Sequence, residues 1–400
     1  MTVKIEPSKA CGKISAPPSK SIAHRALICG ALSQKSNIVN IEYSADISAT
    51  LDCLSALGAD VCRYENGVTL GGLMPNNIGE ATLNCRESGS TLRFMIPLAF
   101  LSGSKITFTG ADRLFQRNLQ VYEKIADDNG ILFERHGNSL TVCGTLKQNH
   151  FKVCGSISSQ FISGLLFALP LLPYDTTLEI EGVFESKPYV ELTTDMLKKF
   201  GISIAENGTR YRVKGNQTLI SNDITVEGDY SNAAFLDGFN LLGGDVTVEG
   251  LNDNSLQGDR VYRKMFYDLQ NGKREFDLSD CPDLAPVMFA LSACFGGAVF
   301  TGTRRLKIKE SDRATAMAAE LLKFGIKTDV YENTVVIHGG KLCTPTETID
   351  GHNDHRIVMA MSMLCSQTGG VISGAEAVSK SFPDFFEKIK FLGIVVKNET

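Results

Sequence analysis

Apolar positions along this chain switch between helical and strand spacing in one fixed order. The stretch from Ala298 to Gly340 shows that order in full. AVFTG is a short apolar strand ending at Gly302, and the basic and acidic loop TRRLKIKESDR follows. Ala314, Met317, Ala318, Leu321 and Leu322 then predict an amphipathic helix. Gly325 closes it, and Ile326, Thr328 and Val330 alternate as a strand. A hairpin at Glu332–Asn333 returns through Val335 and Ile337. The helix-closing glycines Gly58, Gly130, Gly201, Gly272, Gly325 and Gly393 lie 72, 71, 71, 53 and 68 residues apart. Strands ending in glycine precede the later copies, at Gly110, Gly182, Gly250, Gly302 and Gly374. Helix, glycine and strand in succession are common in α/β proteins, but six copies at near-even spacing argue for a repeat whose units must pack together to bury their apolar faces. The six divide into two groups of three. The segment EGDYSNAAF (Glu227–Phe235) interrupts the rhythm near the middle.

Four hundred residues leave room for two or three domains. Charged residues make up 21% and apolar ones 43%, as in ordinary globular chains. A net charge of −5 disfavours nonspecific nucleic-acid binding. The 11 cysteines lack metal-ligand spacing and read as reduced, mostly buried small residues of a cytosolic protein. Lys4 and Glu6 without a following apolar core give no secretion signal, and no apolar run reaches membrane-spanning length.

Polar clusters recur between strand and helix. In GKISAPPSKS, Pro17 and Pro18 disfavour helix before them, and Ser19 or Ser21 can cap the next helix. Lys20 then sits with free backbone N–H groups, and Arg25 lies one turn on; this suits a phosphate, though a surface basic pair would read the same. ESGSTLRF offers Gly89 for close backbone approach and Arg93 in the first turns. Arg113 and Arg117 stand near another helix start, which the helix dipole disfavours unless an anion is present. Ser158, Ser159 and Gln160 precede an apolar helix, and capping alone would need only one of them. Ser186, Lys187 and Tyr189 follow the next strand. In the second half Asp283 precedes a helix, where it could be a plain cap. Arg305, Lys309, Glu310, Asp312 and Arg313 fill one loop, Asp354, His355 and Arg356 begin a helix, and Lys380 precedes another. Parallel helices in two facing halves would point these N-termini into one electropositive cleft, suited to multiply anionic small molecules. Asp283, Glu310 and His355 are its acid and base candidates.

Together, PPSKSIAHRALICGAL, ESGSTLRF, FQRNL, GSISSQF, SKPY, CPDLA, KIKESDR, NDHR and SKSFPDFFE closely resemble the 5-enolpyruvylshikimate-3-phosphate synthase family, in family order over essentially the whole chain. The resemblance implies an α/β fold of two similar domains, each of three βαβαββ repeats, an inside-out α/β barrel. One domain would comprise residues 1–18 and 229–400, the other 19–228. It implies transfer of the enolpyruvyl group of phosphoenolpyruvate to the 5-hydroxyl of shikimate 3-phosphate, without metal or organic cofactor. By resemblance, Lys20, Ser21, Arg25, Ser158, Ser159, Gln160, Ser186, Tyr189, Asp283, Arg305 and Lys309 face shikimate 3-phosphate. Lys20, Gly89, Arg93, Arg117, Gln160, Arg313, His355, Arg356 and Lys380 face phosphoenolpyruvate. Asp283 resembles the base that takes the hydroxyl proton, and Glu310 the acid that protonates the methylene carbon, with Lys20 sharing proton transfer. Glu87 and Arg305 stand where the family often has Asn. An inward Glu87 would repel phosphate, so it is expected to turn away or meet a cation, and Arg305 would add charge at the shikimate phosphate.

The nearest rival is a UDP-N-acetylglucosamine enolpyruvyl transferase, which usually carries a reactive cysteine in a loop that here reads GADRLFQRNL, without one. A non-catalytic anion-binding repeat scaffold would explain the glycines and apolar periodicity but not Asp283, Glu310 and the cations. An RNA-end cyclase would need a nucleotide-linked histidine, and His355 in NDHR fits the first family better. A cleft within one chain needs only a monomer, free of nucleic-acid or membrane partners.

Overall fold

The computed structural model describes residues 1–399. Contacts gather into two compact units, one made of Met1–Pro17 and the chain from Gly228 onward, the other of Pro18–Glu227.

The unit Pro18–Glu227 contains three four-stranded sheets with one topology. Its middle repeat is typical. Ala81–Asn84 runs parallel to Ile106–Thr109, the helix Gly89–Ser102 crossing between them. After the helix Gln120–Asn129, the strands Leu132–His136 and Ser139–Cys143 form a hairpin whose return strand joins the sheet antiparallel to Ile106–Thr109. The alternation of buried and exposed residues in Ser139–Cys143 is the period-two signature of a sheet with one wet face. The last repeat pairs His150–Cys154, Thr176–Glu181, Arg210–Val213 and Ile204–Asn207 in the same way. In the first repeat the opening strand is Ile224–Thr225, from the far end of the unit, laid parallel to Ser36–Val39.

The other unit repeats the design with two alterations. Its last sheet takes in the N-terminal strand Thr2–Glu6, antiparallel to both Gly370–Ser373 and Val395–Glu399. The repeat closed by Gly272 has no return hairpin among the described residues: Cys11–Ser15 and Asp245–Glu249 form a two-stranded parallel sheet. Glu275–Asp277, which the pattern assigned to that repeat, opens the next sheet instead, parallel to Gly297–Thr301. The missing hairpin accounts for the short interval before Gly325. EGDYSNAAF is likewise no interruption. Asp229 caps the helix Tyr230–Leu241 by accepting from the Asn232 N–H at 2.9 Å, and this helix is the first of its repeat. The expected α/β class and βαβαββ order hold in the five four-stranded sheets.

Each unit has its own apolar core. The helix Ala285–Cys294 is apolar all round and lies wholly inside its unit, as such a helix must. All 11 cysteines are free thiols, and no helix of the described residues is long and apolar enough to cross a membrane. The tightest helix contact joins the helices that begin at Gly89 and Ser159. Helix Ser159–Ala168 lies against helix Gly89–Ser102 at Gly164, where a Cβ would collide with the Arg93 carbonyl and the Tyr122 hydroxyl. Tyr122 donates to the carbonyls of Arg93 (2.7 Å) and Phe161 (3.2 Å), joining both helices. Gly164→Val will therefore push the helices apart. We expect a loss of about 1–3 kcal/mol, read as a lower urea midpoint with far-UV circular dichroism; an unchanged midpoint would refute the close-packing role.

Candidate active site

In the unit Pro18–Glu227 the singled-out residues gather at helix N-termini. Lys20 opens the helix Lys20–Leu32, and its Nζ lies 2.8 Å from Asp46 Oδ2, in the first turn of the helix Ala45–Ala56. Ser19 occupies the N-cap of the Lys20 helix, yet its side chain accepts no bond from the helix N–H groups, contrary to expectation. Arg25 is buried and largely committed to the protein. Its Nε donates to Thr193 Oγ1 at 2.8 Å, its Nη2 to the Tyr189 carbonyl at 2.7 Å and its Nη1 to the Ser21 carbonyl at 2.6 Å. Burial draws the guanidinium down to about 10. Arg25 thus bolts the Lys20 helix to the helix Lys187–Lys199, and so positions Ser21 and Tyr189.

The second cluster surrounds Gly89. Ser88 caps its helix by accepting from the Thr91 N–H at 3.2 Å. A Cβ on Gly89 would lie 2.5 Å from Arg117 Nη1 and 3.0 Å from Arg93 Nη1, so a side chain here would displace the guanidiniums. Arg93 donates to Gln160 Oε1 at 2.7 Å, and Gln160 Nε2 donates to Ser90 Oγ at 2.9 Å. Arg117 Nε is buried and has no hydrogen-bond partner among the described residues. Two like charges at the positive end of a helix dipole are unfavourable alone and favourable around an anion. Ser158 caps the helix Ser159–Ala168 through the Gln160 N–H at 3.3 Å, leaving Ser159 and Gln160 in the first turn rather than before it. Ser186 holds a left-handed backbone, φ 55°, at the start of the Lys187 helix, and its side chain gives no cap bond.

The other unit collects its residues around one carboxylate. Asp283 lies in the turn Pro282–Leu284 before the helix Ala285–Cys294 and is no cap. Its Oδ1 accepts from Lys309 Nζ at 3.1 Å and Arg313 Nη1 at 2.8 Å, and its Oδ2 from Arg356 Nη2 at 3.1 Å. Burial works to raise this carboxyl, but the charges of Arg356, Lys309 and Arg313 outweigh it and hold Asp283 well below the usual carboxylate range. Burial likewise lowers Lys309. Arg313, 1% exposed, also donates to Glu310 Oε2 at 2.6 Å and, through Nε, to Asp354 Oδ2 at 2.9 Å. Burial opposes its charge, but Asp354, Glu310 and Asp283 overcome this and raise its pKa. Asp354 caps the helix His355–Thr368 by accepting from the Arg356 N–H at 3.0 Å. His355 is buried beside it, Nδ1 3.9 Å from Asp354 Oδ1. Lys380 donates to the Asn353 carbonyl at 2.6 Å, and Arg305 Nη2 to the Ser279 carbonyl at 2.5 Å. Glu87, in the other unit, is half-buried.

The cations of this unit are therefore not the bare electropositive set that the sequence suggests. Carboxylates thread through them. Sequence reasoning did not single out Asp46 or Ser231, whose hydroxyl accepts from Arg356 Nη2 at 3.0 Å. Each lies far along the chain from its partner and carries no local motif. For Asp46 the cue was a serine-led helix start (Ser44) with an acidic first turn.

A family model described as EPSP synthase (3-phosphoshikimate 1-carboxyvinyltransferase) matches residues 5–389. The chain is similar to the 3-phosphoshikimate 1-carboxyvinyltransferase of Clostridium kluyveri, at 41% identity over 98% of this chain and 97% of that one. That of Clostridium novyi is 39% identical, over 98% of each chain. Among solved structures, an EPSP synthase from Acinetobacter baumannii shares the fold, with a TM-score of 0.79, 22% identity and full coverage of both chains.

The depressed Asp283 pKa ties stability to pH. An unfolded aspartate titrates near pH ~3.9, so this carboxylate's contribution is complete above that value and is lost as the pH falls below it toward the folded pKa. Asp283→Asn removes the linkage. The urea midpoint of the unsubstituted protein should fall more steeply below about pH 4 than that of the variant; parallel slopes would show that the cations do not hold Asp283 ionised.

Proposed function

The chain belongs to the EPSP synthase family, and on that premise we propose which of its side chains carry the reaction. The enzyme is a transferase of aromatic amino-acid biosynthesis. It moves the enolpyruvyl group of phosphoenolpyruvate to the 5-hydroxyl of shikimate 3-phosphate and releases inorganic phosphate.

The chemistry demands two opposed proton transfers. The C2 carbon of phosphoenolpyruvate is not electrophilic until its methylene is protonated. The attacking hydroxyl must meanwhile lose its proton. In our reading Asp283 takes the hydroxyl proton and Glu310 gives one to the methylene carbon, with Lys20 sharing proton transfer. The new C–O bond yields a tetrahedral adduct. Loss of phosphate and of one methyl proton then restores the double bond. Arg93, Arg117 and Lys380, with Arg313 and Arg356, offset the charge of phosphoenolpyruvate and of the departing phosphate. Gly89 leaves the space they need, His355 completes that side, and Gln160 serves both ligands. Ser21, Ser158, Ser159, Ser186 and Tyr189, with Lys309 and Arg305, receive shikimate 3-phosphate, while Arg25 acts on it through Ser21 and Tyr189.

The observation that carries this reading is the convergence of Lys309, Arg313 and Arg356 on the single carboxylate of Asp283. So strongly paired a carboxylate is a poor base. Anionic substrates compete for the same three cations and loosen their hold, so the Asp283 pKa climbs when substrate is bound. The base is thereby strengthened only when there is a proton to remove. All assigned groups belong to one chain, so we also propose a monomer, located in the cytoplasm where charged phosphate esters are retained.

Purified protein should release phosphate from phosphoenolpyruvate only when shikimate 3-phosphate is added, and not with UDP-N-acetylglucosamine. Asp283→Ala should lower kcat by roughly 10²–10⁴-fold. Release with the sugar nucleotide alone would overturn the substrate reading, and an active Asp283→Ala would remove the base. Lys380→Ala should raise KM for phosphoenolpyruvate roughly 10–100-fold, the worth of one charged hydrogen bond; an unchanged KM would take Lys380 off that side.

A further inference from the structure

Two consecutive non-glycine residues, His352 (φ 50°) and Asn353 (φ 51°), adopt left-handed backbone just before Asp354. Such conformations are uncommon outside glycine, although His and Asn are among the residues that tolerate them best. They persist where surrounding contacts impose them. Here the contacts come from one helix. Arg313 and Glu320 lie seven residues apart on the helix Arg313–Lys323, which puts them on the same face two turns apart. Arg313 reaches Asp354 at 2.9 Å. Glu320, 2% exposed, reaches the other end of the same loop: its Oε2 accepts from the Asp350 N–H at 2.9 Å and its Oε1 bonds His352 Nε2 at 2.8 Å. The loop is closed further by the His352 N–H donating to Asp350 Oδ1 at 2.7 Å. Its two outputs are the Asn353 carbonyl, which holds Lys380 Nζ at 2.6 Å, and the Asp354 carboxylate, which holds Arg313.

We propose that the His352–Glu320 pair is a positioning device for phosphoenolpyruvate: it holds the left-handed loop so that Asn353 and Asp354 aim Lys380 and Arg313. The inference rests on the assignment of those two cations to phosphoenolpyruvate. His352 touches no substrate and acts through its neighbours. The groups facing its ring are Glu320 and Lys323 from the helix and Asp350 from the loop itself. The hydrogen bond to Glu320 raises the imidazole above its ordinary value, burial and Lys323 oppose this, and Asp350 assists. The pair is thus ionic below the raised imidazole value and loses its charge as the pH climbs past it.

The test separates the ion pair from backbone strain. His352→Asn keeps a residue suited to left-handed backbone and deletes only the ring. Glu320→Gln removes the charge from the opposite side, and His352→Lys restores a cation. We expect His352→Asn and Glu320→Gln each to raise KM for phosphoenolpyruvate roughly 3–30-fold, with kcat and KM for shikimate 3-phosphate nearly unchanged and the double variant no worse than either. KM for phosphoenolpyruvate should rise with pH across the imidazole titration in the unsubstituted enzyme, and this limb should vanish in His352→Lys. If Glu320→Gln does not fold, the His352→Asn values and the pH profile decide. An unaltered KM for phosphoenolpyruvate in a folded His352→Asn would overturn the proposal, as would an equal rise for both substrates. Lys380→Ala measured alongside distinguishes the two levels. If it raises KM and His352→Asn does not, only the positioning device fails; if it leaves KM unchanged, the assignment of the cation fails and the device with it.

Discussion

A guanidinium as deeply buried as Arg313 survives only where fixed anions replace its water, and much of one unit is arranged to supply them. Three carboxylates from three separate segments do so: Asp283 before one helix, Glu310 in the loop ahead of Arg313, and Asp354 at the cap of another helix. Desolvation of ions costs several kcal/mol each unless pairing is close and hydrogen bonds are complete. The network meets that demand while two of the three carboxylates also serve other groups. Asp283 also holds Lys309 and Arg356, and Asp354 also caps its helix and accepts from Ser311 Oγ at 3.0 Å. The two carboxylates we propose as proton acceptor and donor, Asp283 and Glu310, are therefore both held by Arg313.

The unit Pro18–Glu227 handles charge differently. Arg93 and Arg117 crowd the N-terminus of the Gly89 helix, where Gly89 leaves them room and Gln160 accepts from Arg93. Lys20 is the exception, paired with Asp46. One unit thus threads carboxylates through its cations, while in the other a glutamine amide and a glycine shape the surroundings of the Arg93–Arg117 pair.

Much of this was legible in the residues. The repeat follows from glycine spacing and apolar period, because each unit must end its helix, turn and pair a strand in the same number of residues. The polar clusters at helix starts stand out because arginine and lysine are unfavourable there without an anion. Other features have no local signature. The missing hairpin after Gly272 was hidden because Glu275–Asp277 has the alternation of a return strand, while its pairing partner lies ahead in the chain. Asp46 and Glu320 escaped notice because their pairs with Lys20 and His352 join segments distant in the chain and depend on packing, which no window of sequence contains. The charge of Arg25 is visible in the sequence, but its buried partners Thr193 and Tyr189 are not.

The first strand of the chain, Thr2–Glu6, ends up wedged between Gly370–Ser373 and Val395–Glu399. On the ribosome this means that an early strand waits for partners made much later. At about 5–20 residues per second that wait is about 20–80 s. Val3 and Ile5, fully buried in the finished protein, stay wet throughout that delay. The unit Pro18–Glu227 is under no such constraint, since Ile224–Thr225 completes its sheet near the midpoint of synthesis. Nascent chains should therefore carry one finished unit and one open seam until Val395–Glu399 has emerged.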